Sequence, residues 1–192
     1  MALVVGLIGL TTGACSSGSG SGSAPATAGA GSTTSPTSGA ALVPAPAGFH
    51  AVTVTVRAAD GTVSTRCLLV AETPARQEQG LMGVTDAGLG GYDGMIFVFP
   101  GATTSPFWMK DTLIPLSIAF ADEAGAVVTT ADMVPCPSST RECPRTSSSS
   151  PYRYAVEVGS GRLPAVGLVD GASLDPTFGP LCPPAGGVVP PG

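Results

Sequence analysis

The residues best suited to chemistry in this chain stand in one short run, Phe107-Trp108-Met109-Lys110-Asp111-Thr112. Three large apolar side chains lie beside a cation, an anion and a hydroxyl. Trp108 is the only tryptophan of the chain, and Lys110 the only lysine. In extended backbone successive side chains point to opposite faces. Phe107 and Met109 then face one way, and Trp108 and Lys110 the other. Two readings follow. In one, Trp108 anchors the core and Lys110–Asp111 is a solvated pair. In the other, Trp108 floors a cleft whose polar groups are Lys110 and Asp111. Such a cleft suits a small polar or glycan-like ligand, or an envelope protein. Arg76 is a further candidate, with a surface arginine or a structural ion pair as its simpler role.

Other chemistry lacks its residues. The single histidine, His50, lies just before the first expected strand, which disfavours a Ser-His-Asp or Cys-His site and a histidine-based zinc site. No Gly-rich loop follows a strand and opens a helix, so no phosphate loop is expected. Carboxylates at Asp86, Asp93, Asp111, Asp122 and Asp132 leave room for an acid–base pair. A hydrolase or lyase using Asp111 and a second carboxylate is therefore the rival reading. A purely structural envelope role is the third. Met82, Met95, Met109 and Met133 carry thioethers that could bind Cu(I), but each sits in or beside an apolar run where methionine is a good core filler. No cofactor and no metal is expected. With 8 Lys+Arg against 13 Asp+Glu, a net charge of −5 and no basic cluster, neither nucleic acid nor polybasic attachment to anionic lipid is expected.

The elements that must position residues 107–112 can be read on either side of them. Met95 to Phe99 is a short apolar run between Gly94 and Pro100-Gly101, and Leu116 to Ala121 is another, closed by Asp122-Glu123-Ala124-Gly125. Both have the length and punctuation of buried strands. Residues 51–57 alternate apolar side chains with threonine. They read as a strand that turns at Asp60-Gly61 into a second, residues 63–71. Thr73-Pro74 opens a helix, with Thr73 as N-cap and Pro74 at its first position. The helix is expected to reach Met82, with Gly83 as its C-cap and Leu81 and Met82 inward. Residues 84–93 read as a loop. Residues 125–134 should pair with 116–121. Cys136 to Cys143 is a polar excursion, and Thr146 to Ser150 a low-complexity, mobile piece. Residues 152–158 form an alternating strand, 163–168 one helical turn and 172–174 a last short strand, with little regular structure after Pro176.

The first residues read as export machinery. An apolar run of about 13 residues is too short to span a bilayer, which takes ~20, and suits the core of a secretion signal. Small residues before Cys15 look like a bacterial lipobox, although Thr12 replaces the usual aliphatic residue and no cation precedes the run. Residues 1–15 are thus read as a signal peptide. Cys15 becomes the acylated anchor on the outer face of the membrane, or the protein is secreted if the signal is cleaved without lipidation. Residues 16–48 are almost wholly Ser, Gly, Ala, Thr and Pro. They cannot bury enough surface to offset ordering entropy, and such a tether reaches roughly 30 Å. Residues 49–182 form the folded domain, and 183–192 a disordered tail.

Setting Cys15 aside leaves Cys67, Cys136, Cys143 and Cys182. An even number in an exported domain suggests disulfides, of which four cysteines allow three pairings. Local closure favours Cys136–Cys143, and Cys67–Cys182 then pins the irregular tail to the second strand.

The motifs Arg76-x-x-x-Gly80-Leu81-Met82-Gly83, Gly94-Met95-x-Phe97-x-Phe99 and Phe107-Trp108-Met109-Lys110-Asp111-Thr112-x-x-Pro115-Leu116-Ser117-Ile118 strongly resemble the family called domain of unknown function 192. The likeness runs from about Val63 to about Leu174. Asp111 stands where many members have Asn, and Ser117 where many have Asp. The Arg-to-Gly spacing is one residue longer than the commonest form. The resemblance implies a mainly β fold, a compact β-barrel or β-sandwich with one short helix. It supplies no catalytic residues.

Overall fold

The computed structural model describes residues 45–184. The signal segment, Cys15, most of the linker and the tail from residue 185 lie outside the described residues.

The chain runs β1 (Ala51–Arg57), β2 (Val63–Ala71), α1 (Pro74–Gln79), β3 (Gly94–Thr103), β4 (Phe107–Trp108), β5 (Leu116–Ala121), β6 (Val127–Met133), β7 (Arg145–Thr146), β8 (Tyr152–Gly159), α2 (Leu163–Val166) and β9 (Ser173–Leu174). The fold is mainly β. Seven strands form one curled half-barrel sheet in the order β6, β5, β8, β3, β2, β1, β9, and β4 and β7 form a separate two-stranded ribbon. Two α-helices of four and six residues occur among the described residues, where the sequence leads one to expect one helix and a helical turn, and a 3-10 turn at Leu89–Gly91 interrupts the expected loop of residues 84–93.

The hairpin forms as its alternation demands. Thr53 stands opposite Cys67 and Val56 opposite Ser64, and the Asp60 carboxylate accepts the Thr62 N–H at 2.8 Å to hold the turn. Strands β2 and β3 are parallel, so their connection must cross over, and it carries α1. Thr73 caps this helix by accepting the Arg76 N–H, and Pro74 starts it. The helix stops earlier than the sequence suggests. Gly80 at φ +46° takes the C-cap, because Leu81 and Val84 must drop into the core, where both are buried. The Gln77 amide ties the helix to the sheet by donating to the Val98 carbonyl at 2.8 Å.

Burial on both sheet faces follows from what covers them. One apolar cluster gathers Val54, Val56, Leu68, Ile96, Val156 and Leu168 with α2. The other gathers Leu69, Met95, Phe97, Ile118, Phe120 and Tyr152 with Leu81, Val84, Met109 and Ile114 from the segments that wrap the outside. Every residue of β5 is buried, so this strand is not a one-sided amphipathic element.

The two sheet edges are drawn together at one end. Ser173 bridges to Ala126, next to β6, while β9 pairs with β1. Gly125 makes this approach possible. It sits at φ +84°, and a Cβ there would lie 2.0 Å from the Leu174 carbonyl oxygen. The segment after Pro176 is less irregular than expected. Thr53 and Gly179–Pro180 exchange backbone hydrogen bonds, and Cys182 N–H donates to Ala51 at 3.1 Å. Cys67 and Cys182 are joined with S–S 2.03 Å, and Cys136 and Cys143 with S–S 2.09 Å. Residues 148–150 are also held, since the Thr129 hydroxyl accepts the Ser149 N–H at 2.9 Å.

Candidate binding site

The run from Phe107 to Thr112 forms a strap over one face of the sheet. Its alternation survives: Met109 is buried, Phe107 is half-buried, and Trp108 and Lys110 are exposed. Phe107 inserts among Phe97, Phe120 and Tyr152, with its ring centroid 4.9 Å from that of Phe97. This aromatic packing anchors β4, and β4 then presents Trp108 outward.

Trp108 lies in the wall of a cleft of about 520 Å³, with Lys110, Ser138, Thr140, Arg141, Glu142, Cys143 and Arg145. Trp108 is 36% exposed, so it is neither sealed nor free. Arg145 sits over its ring at 4.5 Å and Lys110 at 5.4 Å, within range of cation–π attraction. Lys110, Arg141 and Arg145 thus bring three of the chain's eight Lys+Arg residues to one cleft, against one anion, Glu142.

Most of that wall comes from the loop between Cys136 and Arg145, whose shape the Cys136–Cys143 disulfide constrains. In the sequence this loop is a polar excursion, and nothing local to it singles out Arg141 and Arg145 beyond their place within and just past a short disulfide loop.

Asp111 and Arg76 stand apart from the cleft wall. Asp111 adopts φ +54°, a left-handed conformation that Asp and Asn tolerate better than other side chains. Its N–H donates to Cys136 at 2.8 Å and its carbonyl accepts from Gly83 at 2.9 Å. Its place is thus a backbone turn that locks the strap to the disulfide loop and to the loop after α1. Arg76 donates to the Gly48 carbonyl at 2.8 Å, lies over the Phe49 ring and is 3.9 Å from the Glu72 carboxylate. It fastens the entry segment to α1.

A second group escaped the sequence reading. Glu157 lies on β8, opposite Met95 of β3 and Ile118 of β5. It is 4% exposed. Burial pushes its carboxyl from an ordinary 4.5 up to about 8. It lines a small cavity of about 30 Å³ together with Phe97, Phe107, Trp108 and Thr112. Ser117 is also buried, and its hydroxyl donates to the Asp132 carboxylate and accepts the Gly161 N–H.

Residues 54–176 match the family designated domain of unknown function 192 (DUF192), described as an uncharacterised ACR. The chain belongs to the DUF192 family. The match starts somewhat earlier than the motifs alone indicated, and runs from within β1 to just past β9. Two solved structures are similar to this DUF192 chain. One is a proposed transcription regulator from Sinorhizobium meliloti 1021, with 25% identity and TM-score 0.57, covering 68% of this chain and 96% of that one. The other is a protein of unknown function from Novosphingobium aromaticivorans DSM 12444, with 29% identity and TM-score 0.57, covering 71% and 93%. No curated protein matches the chain.

Proposed function

We propose that this DUF192 protein is an extracytoplasmic binding module, held at the membrane by acylated Cys15, that takes a small polar, sugar-like ligand carrying an acidic group. One observation carries the reading: a partly exposed tryptophan shares its cleft with Lys110, Arg141 and Arg145. In a chain of net charge −5, such a gathering of cations costs mutual repulsion, and an anionic ligand offsets it. Arginine's planar fork suits a carboxylate or a sulfate, and the indole edge with Ser138 and Thr140 suits hydroxyls. The two disulfides support an oxidising compartment. No helix among the described residues is long and apolar enough to cross a membrane, and a lipid on Cys15 supplies attachment without one.

The hydrolase reading has less support. Among the cleft-lining residues Glu142 is the one carboxylate, and Asp111 is elsewhere.

Trp108 reports binding by its own fluorescence, as the sole tryptophan. Titration with uronic-acid-bearing oligosaccharides should give a saturable change that weakens with salt, and neutral oligosaccharides should bind at least tenfold more weakly. Arg145→Ala should reduce affinity for the acidic ligands. Equal responses to acidic and neutral glycans, or none to either, would reject the proposal.

A further inference from the structure

The buried carboxyl of Glu157 has an arrangement that packing alone does not explain. Strand β8 is central in the sheet, between β5 and β3. Its neighbours Tyr154, Val156 and Val158 belong to one apolar cluster. By alternation Glu157 points the other way, with Ala155, into the cluster that holds Met95, Phe97 and Ile118. No hydrogen bond or ion pair to its carboxyl is present among the described residues. Yet no sealed side-chain polar atom there lacks a partner. The Glu157 oxygens therefore open onto the cavity that they line. At about 30 Å³, that cavity has room for about one or two water-sized groups.

The walls are unusual for a water site. Phe97, Phe107 and Trp108 contribute aromatic surface, and Thr112 a hydroxyl that, among the described residues, makes one hydrogen bond, a long 3.5 Å donation to the Lys110 carbonyl. The end of α1 and the turn after it, Gln77 to Met82, close the remaining side, with Gly80 where a Cβ would stand 3.3 Å from the Phe97 ring. A buried carboxylate in aromatic surroundings favours a cation that can be held by charge and by π-faces together. A hard dication takes six to eight oxygen ligands, and a cavity of about 30 Å³ with one buried carboxylate does not gather that many, although Gln77, Glu78 and Gln79 also border it. A bare ammonium head needs fewer fixed ligands and is about the size of a water molecule.

We propose that the Glu157 cavity is a binding site for a primary alkylammonium group. Its charge is met by the Glu157 carboxylate and its flanks by Phe97, Phe107 and Trp108. The site is distinct from the cationic cleft, although Trp108 lines both, and the proposal does not rest on the acidic-ligand reading. Filled, the cavity pairs a charge that is otherwise suppressed. Empty, Glu157 is held protonated by burial, so ammonium binding near neutral pH must release a proton. The groups facing Glu157 from packed elements are its register partners Met95 on β3 and Ile118 on β5, with Phe97 on β3, Phe107 and Trp108 on β4, Thr112 on the strap, Gln77 and Gln79 on α1, and Leu81 and Met82 after it. Glu78, exposed on α1, is the one other ionisable residue of the cavity wall.

The test is titration of the full chain with methylammonium chloride at constant ionic strength, read by Trp108 fluorescence. A saturable change is expected at pH 9. It should weaken about tenfold per pH unit below 8, hence about a hundredfold by pH 6. Glu157→Gln should abolish it, methanol should not reproduce it, and tetramethylammonium should be excluded by size. Calorimetry of the unaltered protein in two buffers of different ionisation enthalpy should show close to one proton released at pH 7. That measurement decides the matter even if the variant folds poorly. Binding of equal strength at pH 6 and 9, an unaltered response in Glu157→Gln, an equal response to methanol or tetramethylammonium, or absence of proton release would each overturn the assignment.

Discussion

Arg145 stands over the indole of Trp108, 4.5 Å from the ring centroid, because the two are register partners in the β4–β7 ribbon. The ribbon has one such pair on each side of its ladder: Phe107 with Thr146 and Trp108 with Arg145. Phe107 fastens the ribbon to the core, and the Trp108–Arg145 pair is what the ribbon shows to solvent. A loop stapled by Cys136–Cys143 feeds directly into Arg145. Arg141 lies within that stapled loop and Arg145 just beyond it.

Removing either disulfide should destabilise the protein, and by unequal amounts. In the chain-entropy account, the Cys67–Cys182 closure, with a sequence separation of 115, contributes about 5 kcal/mol. The Cys136–Cys143 closure, with a separation of 7, contributes about 2–3 kcal/mol. Thermal unfolding of the Cys67→Ala/Cys182→Ala and Cys136→Ala/Cys143→Ala proteins should show the larger loss for the first. The second should instead show altered Trp108 fluorescence in the folded state. Equal losses with unchanged fluorescence would argue against the staple's role in shaping the cleft.

Glu157 should make stability fall as pH rises. Its folded pKa, about 8, lies above the ordinary 4.5, so the folded state binds more protons across that window. The stabilisation is fully present below about pH 4.5 and is lost as pH rises through 8. The slope is at most ~1.4 kcal/mol per pH unit and sums to a few kcal/mol. Glu157→Gln should match the unaltered protein within about 1 kcal/mol at pH 5 and exceed it at pH 9. Denaturant titrations at the two pH values measure this. A constant difference between the proteins would show that Glu157 does not titrate in this window.

Gly125→Ala should be among the most damaging single-methyl changes. It adds a Cβ 2.0 Å from the Leu174 carbonyl oxygen at φ +84°. Relief requires parting the segment that ties β6 to β9. A loss of about 2 kcal/mol or more is expected in urea unfolding. Gly61→Ala, at the same φ with nothing near its Cβ, provides the comparison and should cost about 1 kcal/mol.

Cys15→Ser should move the protein from the membrane fraction to the medium, as read by fractionation and immunoblot. A single acylation site explains attachment only if its loss releases the chain. Unchanged membrane association would refute the anchor.

Much of the framework was legible beforehand because its causes are local. The alternation of residues 51–57, the Asp60-Gly61 turn and the Thr73-Pro74 helix start each depend on a few neighbouring residues. All three stand as read. The helix end was misjudged by three residues, since a tertiary demand, burial of Leu81 and Val84, outweighed a good sequence stop at Gly83. Of the expected cleft residues, Trp108 and Lys110 share a wall, whereas Asp111 serves a backbone turn and Arg76 fastens the entry segment.

By itself the sequence determined the long strands, the family, a favoured pairing of cysteines by loop length and the alternation that sets Trp108 and Lys110 on one face. These follow from periodicity and short-range geometry. It left open whether that face is outward, and it did not show that Arg145–Thr146 forms β7. Only the tertiary structure decided that Arg141 and Arg145 reach Trp108 and that Glu157 is interior. In the run Tyr152 to Val158, Arg153 and Glu157 look alike as polar positions of one alternating strand. Arg153 keeps a partner for its guanidinium in the Phe99 carbonyl, while Glu157 falls where the strap and the loop after α1 cover the sheet. What lies over a strand comes from distant segments of the chain, and no pattern within the strand records it.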